Sequence, residues 1–145
     1  MLNEFALDGR VALVTGSARG LGFEIARGMA LAGARVYING TDQGRLDLAA
    51  QRLAGCGAAV HSACFDVTDE PLAAKTIERI AEECGRFDIL VNNVGVRLRE
   101  PIEHIGSAEL RGMLDVDLVS AFALAKLAAP HMAKSGYGRI INISS

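Results

Sequence analysis

The chain has 145 residues, half of them apolar and 22% charged, enough for one core of ordinary domain size and too apolar for wholesale disorder. Fifteen Lys and Arg stand against seventeen Asp and Glu, a net charge of −2, and no run of like charges marks a nucleic-acid or anionic-membrane surface.

In chain order, short apolar runs rich in β-branched residues at 11–15, 35–39, 59–65, 87–91 and 139–143 predict strands. Stretches of helical spacing at 20–32, 42–54, 69–84 and 107–134 alternate with them. Gly33, Gly57, Gly85 and Gly136 each follow a helical stretch, where a left-handed cap favours glycine. Strands apolar on both faces and separated by helices imply an α/β, doubly wound parallel sheet covered on both sides. No linker, repeat or low-complexity segment divides the chain, so residues 1–145 read as one unit. The last strand runs directly into Ser144 and Ser145. A helix is expected after it, so the sheet reads as incomplete at its C-terminal end.

Cys56, Cys64 and Cys84 are widely spaced, with no Cys-x-x-Cys pair and no histidine at metal-ligand distance in sequence. They read as packing thiols in a reducing compartment, with no metal site. The first residues lack a basic patch followed by an apolar stretch, and no apolar run reaches membrane-spanning length. A cytoplasmic protein without a membrane partner is expected.

The first strand leads through Thr15-Gly16-Ser17-Ala18-Arg19-Gly20-Leu21-Gly22 into an amphipathic helix. Strand, glycine-rich turn and helix N-terminus together make an anion site, because backbone amides and the helix dipole converge there. The glycine spacing is G-x-x-x-G-x-G. Taken with Asp66-Val67 at the end of the third strand and Asn92-Asn93-Val94-Gly95 after the fourth, it resembles the short-chain dehydrogenase/reductase family. That resemblance implies a Rossmann-type sheet of strand order 3-2-1-4-5. It further implies that Gly16, Ser17, Arg19, Gly20, Leu21 and Gly22 cradle the pyrophosphate and ribose of NAD(H) or NADP(H). Asp66 would accept from the adenine amino group, with the Val67 backbone lining its pocket, and Asn93, Val94 and Gly95 would follow the cofactor toward its nicotinamide. The plainer alternatives are a helix cap for Asp66 and an ordinary turn for Asn92-Asn93. Val94 stands where the family usually has alanine.

An acidic residue ending the second strand would serve the ribose hydroxyls of NAD, and a basic one the 2′-phosphate of NADP. This chain has Gly40 and Thr41 there, so both the carboxylate and the usual arginine are missing. Arg19 is a possible counter-charge for the phosphate, and Asp42 reads as the N-cap of the next helix. The balance favours NADP(H) over NAD(H).

The fourth helix places Leu110, Met113, Leu114, Leu118, Ala121, Leu124, Ala125 and Ala128 on one face, with Asp117 inside the stripe. Leu114-Asp115-Val116-Asp117-Leu118 resembles the family's pattern except that Asp117 replaces the asparagine of the catalytic tetrad. The alternative for Asp117 is an acid bonded to backbone or lysine. The helix is apolar on its other side too, with Val116, Val119, Phe122, Ala123 and Leu127, so that side is expected to pack against the same helix of another subunit, and the resemblance implies a homodimer or homotetramer built through 107–134. The resemblance makes Ser145, with Ser144 as the second candidate, the serine that bonds the substrate oxygen. The family's tyrosine and the lysine four residues after it follow that serine and are not in this sequence.

Asn39-Gly40 and the stretch 97–102 resemble the gluconate 5-dehydrogenase group, whose activity interconverts a secondary alcohol and a ketone. The alternatives are a 3-oxoacyl-carrier-protein reductase-like enzyme and a non-catalytic nucleotide-binding module, since the 145 residues alone lack the proton-transfer pair.

Overall fold

The computed structural model describes residues 3–144. After a short 3-10 turn at Asn3–Phe5, the chain alternates β1 (Val11–Val14), α1 (Gly20–Leu31), β2 (Arg35–Gly40), α2 (Gln43–Gly55), β3 (Val60–Cys64), α3 (Glu70–Cys84) and β4 (Ile89–Asn92). A second 3-10 turn at Ile102–His104 precedes α4 (Ser107–Leu114), a π-helical turn (Asp115–Val119), α5 (Ser120–Ser135) and β5 (Arg139–Asn142). All neighbouring strands pair in parallel in the order β3-β2-β1-β4-β5. The doubly wound sheet expected from the sequence is therefore observed, and the strand order matches as well.

The pleat sends alternate residues to opposite faces. Leu13, Tyr37 and Leu90 join one core layer with Ile77 and Ile80 of α3 and with Leu124 and Ala128 of α5. Val14, Ile38 and Val91 join the other with Phe23 of α1 and with Leu46 and Leu53 of α2. Each large apolar side chain so removed from water contributes roughly 1.5–3 kcal/mol. Gly85 and Gly136 close α3 and α5 at φ +69° and +70°, as their positions in the sequence predict. Gly33 and Gly57 also lie at positive φ.

Three expectations need correction. The helix predicted over 107–134 is two α-helices joined by a π-helical turn around Asp117, and the extra residue in that turn rotates α4 relative to α5. The apolar stripe therefore does not run through: Ser120, Ala123, Leu124, Ala128 and Met132 are buried, whereas Leu110, Leu114 and Leu118 are exposed. Cys56 and Cys64 are exposed free thiols rather than packed ones, and Cys84 is half-buried.

At the end of the sheet where the strands begin, Asp88 has no solvent exposure. Its carboxylate accepts from the Val11 amide at 2.9 Å and from two nitrogens of Arg86 at 2.7 Å each, with Arg10 3.6 Å away. Arg10 also stacks 3.7 Å over the Tyr137 ring, tying the entry to β5 into the same cluster. Burial pushes the Asp88 carboxyl up, but the Arg86 fork and the Val11 amide outweigh it and hold the group below the usual carboxylate range. The folded pKa is thus depressed. Its stabilisation is complete above the unfolded carboxylate pKa of about 4 and disappears as pH falls through the folded value. Asp88→Ala should cost about 2–4 kcal/mol in urea denaturation at neutral pH. Asp88→Asn should flatten the fall in stability below about pH 4, and an unchanged acid limb would show that this carboxylate does not set it.

Candidate functional site

The parallel sheet brings the C-terminal ends of all five strands to one edge, with the crevice between β1 and β4 at its centre, where the strand order reverses. The glycine-rich turn lies there, and four polar side chains fix it. Asn39 is buried at the end of β2. Its side-chain amide donates to the Ala63 and Phe65 carbonyls at 3.0 and 2.9 Å, and its Oδ1 accepts from the Gly16 amide at 3.3 Å. Ser17 is also buried. It donates through Oγ to the Val14 carbonyl at 2.6 Å and accepts from the Asn39 amide at 2.9 Å, while its own amide donates to the Asn39 carbonyl. Ser17 therefore anchors the turn with both its hydroxyl and its amide.

From the other side, Thr15 Oγ1 accepts from the Asn93 and Val94 amides at 2.9 and 3.2 Å. The Asn93 side-chain amide returns two bonds, to the Thr15 and Gly16 carbonyls at 3.0 and 3.1 Å. The turn is thereby held between the ends of β2 and β4. Gly16 and Gly20 take φ +58° and +61°, a region costly for other residues. Gly22 is required for space. A Cβ there would lie 2.5 Å from both Asn93 Nδ2 and the Gly16 carbonyl oxygen. A Cβ on Gly16 would meet a Val94 methyl at 3.0 Å, so the valine in place of alanine closes tightly over the turn.

Arg19 occupies the N-cap of α1 in extended conformation without a side-chain cap bond. The first-turn amides of Gly20, Leu21 and Gly22 are left for an outside acceptor, at the positive end of a 12-residue helix. Two clefts open on either side. One, of about 310 Å³, lies between the turn and α2 and includes Arg19, Gly40, Thr41, Asp42 and Arg45. The other, of about 760 Å³, runs along 93–99 past Leu21 and Asp117 to Ile143 and Ser144.

Asp42 caps α2 as predicted, accepting from the Arg45 amide at 2.9 Å. Asp66 does not cap α3, since Asp69 does so by accepting from the Leu72 amide. Asp66 instead accepts from the amide and hydroxyl of Thr68 at 2.9 and 2.7 Å, and those bonds lower its pKa. It is exposed beside Val67, whose side chain is buried. Asp117 is exposed rather than set in an apolar stripe, and its Oδ1 accepts from the Val96 amide at 2.7 Å. Gly95 faces it, so the π-helical turn holds the loop that follows β4. Ser145 lies outside the described residues. Among the described residues, no group of three His, Cys, Asp or Glu side chains could hold a metal ion, and no helix is long and apolar enough to cross a membrane.

The sequence singled out the glycines, Asp66, Asn93 and Asp117, but not the roles of Asn39 and Thr15. Their one signal was a polar residue closing an otherwise apolar strand. Gly22→Ala should lower stability by about 1–3 kcal/mol through overpacking against Asn93 and Gly16. Chemical denaturation reads this directly, and a wild-type midpoint would mean that the turn relaxes freely.

The short chain dehydrogenase family pattern matches residues 10–145. Gluconate 5-dehydrogenase of Gluconobacter oxydans (strain 621H) is 36% identical over 141 residues, covering 97% of this chain and 55% of that protein. Gluconate 5-dehydrogenase from Burkholderia cenocepacia J2315, solved in complex with NADP and tartrate, superposes with a TM-score of 0.90 at 39% identity, over 99% of this chain and 56% of that one. 2-Keto-3-deoxy-D-gluconate dehydrogenase from Streptococcus agalactiae gives a TM-score of 0.87 at 38% identity, over 97% and 53%. The chain spans about half the length of the relatives it matches. With its glycine turn, its Asn-Asn-Val-Gly loop and its strand order, the chain belongs to the short-chain dehydrogenase family.

Proposed function

We propose that residues 1–145 form one dinucleotide-binding unit of an oxidoreductase that interconverts a secondary alcohol and a ketone on a sugar acid, of the gluconate 5-dehydrogenase type. The observation that carries this reading is the glycine turn, which bonds hold rigid at both ends while the first amides of α1 stay unspent. A nicotinamide dinucleotide fits the residues present, because the N-terminus of α1 has no side-chain cap and Gly20 places no side chain in the open space before it, so that backbone can approach a pyrophosphate closely. In this reading Gly16, Arg19, Gly20, Leu21 and Gly22 meet the pyrophosphate side, with Ser17 and Asn39 bracing them. Thr41 lies on the ribose side. Asp66 and Val67 bound the adenine, and Asn93, Val94 and Gly95 lead toward the second cleft.

When bound, the nicotinamide supplies or accepts the hydride. The chain's own residues orient and bind. Asp117 positions the loop carrying Arg97 and Arg99 through its bond to the Val96 amide. Both arginines line the second cleft, where their charge suits a substrate carboxylate. The names of the Gluconobacter and Burkholderia relatives, and the tartrate in the latter's complex, support an anionic polyol substrate. NADP is the favoured nucleotide, supported by the Burkholderia complex and by Gly40, which presents no carboxylate. The hydroxyl of Ser145 is assigned to the substrate oxygen by resemblance alone. Exposed Leu118, Val119 and Phe122 support a homo-oligomer through α5 and the π-helical turn. Free cysteines accord with a cytoplasmic setting.

The test is NADPH oxidation by the longest natural form of the protein with 5-ketogluconate and, in parallel, a 3-oxoacyl thioester. Turnover of the keto acid is expected, and turnover of the thioester alone would replace this substrate reading. NADPH binding without any turnover would favour a non-catalytic module. A Cβ at Gly40 would meet only ordinary contacts, with Leu46 at 3.5 Å and Ala18 at 3.9 Å. Gly40→Asp should therefore fold and move the preference toward NADH by about tenfold or more. Nucleotide fluorescence titration reads the shift, and an unmoved ratio would place the ribose elsewhere.

A further inference from the structure

Asn39 and Gly40 form the one place in the sequence where an asparagine is followed by glycine. In an unfolded chain this dipeptide is the most readily deamidated of all. The Gly40 backbone nitrogen, unhindered by a Cβ, gives up its proton and attacks the carbonyl carbon of the Asn39 side chain. The bond from that carbon to Nδ2 breaks, ammonia leaves, and a five-membered succinimide remains. Water then opens the ring to aspartate or isoaspartate. The balance is asparagine plus water giving acid plus ammonia, with no oxidant or reductant.

The fold obstructs each requirement of this reaction. Ring closure needs the backbone at Asn39 to leave the extended conformation, yet both residues lie within β2, an inner strand of the sheet. Every polar atom of Asn39 is engaged. Its amide donates to Ser17 Oγ and its carbonyl accepts from the Ser17 amide, at 2.9 Å each. Its side chain donates to the Ala63 and Phe65 carbonyls and accepts from the Gly16 amide. The Gly40 carbonyl accepts from the Phe65 amide at 3.1 Å, and Asn39 is 1% exposed. Attack therefore requires the end of β2 to part from its neighbours first.

The product does not fit the place that the amide fills. A carboxylate donates nothing, sets an anionic oxygen against two carbonyls that Nδ2 reaches at 3.0 and 2.9 Å, and carries its charge out of water. Isoaspartate also inserts a carbon into the backbone, which shifts the β2–β3 register where Asn39 pairs with Ala63.

We propose that Asn39-Gly40 is a latent deamidation site, held unreactive by the clamp it helps to form, and that reaction there after local opening permanently dismantles the cradle at the glycine turn. The site itself goes beyond the dinucleotide reading, and only its protection by nucleotide rests on that reading.

Peptide mapping by mass spectrometry, which detects the change from amide to acid at position 39, follows the reaction in the longest natural form of the protein at mildly alkaline pH, folded and in urea. The folded protein should react at least about tenfold more slowly than the unfolded chain. NADP+ at about ten times its Kd should slow the folded protein about tenfold further, because opening then also requires release of the nucleotide. Gly40→Ala, whose Cβ meets only Leu46 and Ala18 at ordinary distances, should fold and should slow the reaction in both states. Deamidated chains, separated by their added negative charge, should melt lower than unreacted ones and bind NADP+ at least about tenfold more weakly. Equal rates in the folded and unfolded protein, or deamidated chains with an unchanged thermal midpoint and NADP+ affinity, overturn the proposal. NADP+ that binds without slowing the reaction overturns the coupling to the turn. Absence of NADP+ binding to the unreacted protein overturns the dinucleotide reading instead, and the two rates and the thermal midpoint then decide the site.

Discussion

The candidate site depends on one set of hydrogen bonds, those that clamp the glycine turn between the ends of β2 and β4. Glycine-rich backbone is the most expensive kind to order, because it has the most conformations to lose. Here Asn39 and Ser17 hold it from one side and Thr15 and Asn93 from the other, through bonds of 2.6–3.3 Å that are buried or part-buried. The cost of ordering is met within the fold, so an anion arriving at α1 finds its donors already placed. The same clamp explains why Gly22 cannot carry a side chain, since Asn93 Nδ2 and the Gly16 carbonyl oxygen occupy the space its Cβ would need.

The two ends of the sheet do different work. Where the strands begin, Asp88 gathers Arg86, the Val11 amide and, more distantly, Arg10, joining β1 and β4 by electrostatics out of solvent. Where they end, the polar groups are divided between bracing and recognition. Asn39, Ser17 and Thr15 brace, while Arg19, Arg45, Asp66 and Arg97 are left facing clefts or solvent. A rigid scaffold with its adaptable charges on loops and first helical turns is the arrangement expected of a binding edge.

Much of this was legible in the sequence. Two-faced apolar strands alternating with helices led to the parallel doubly wound sheet, and glycines after helical stretches marked the left-handed caps, because both signals are local and repeated. What stayed hidden was set by contacts distant in sequence. Nothing local says that Asn39 reaches across to the carbonyls of Ala63 and Phe65, or that Asp117 is drawn out to the Val96 amide. The π-helical turn was missed because a 3.6-residue period reads straight through 107–134, and one extra residue there breaks the predicted stripe, leaving Leu124 and Ala128 buried but Leu110, Leu114 and Leu118 exposed. The exposed thiols show that a small apolar residue just past a helix, as Cys56, or in an edge strand, as Cys64, is not thereby buried.

The claim most open to direct test is that the unspent amides of α1 are the anion donors while the turn before them is already satisfied. Amide hydrogen exchange of the chain, read residue by residue with and without NADP+, tests it. The Ser17 amide should exchange slowly in both states, since it is bonded to the Asn39 carbonyl, and Gly20, Leu21 and Gly22 should become protected only when the nucleotide is present. Fast exchange at Ser17 without nucleotide, or unchanged rates at Gly20 to Gly22 on saturation, would contradict a preformed cradle.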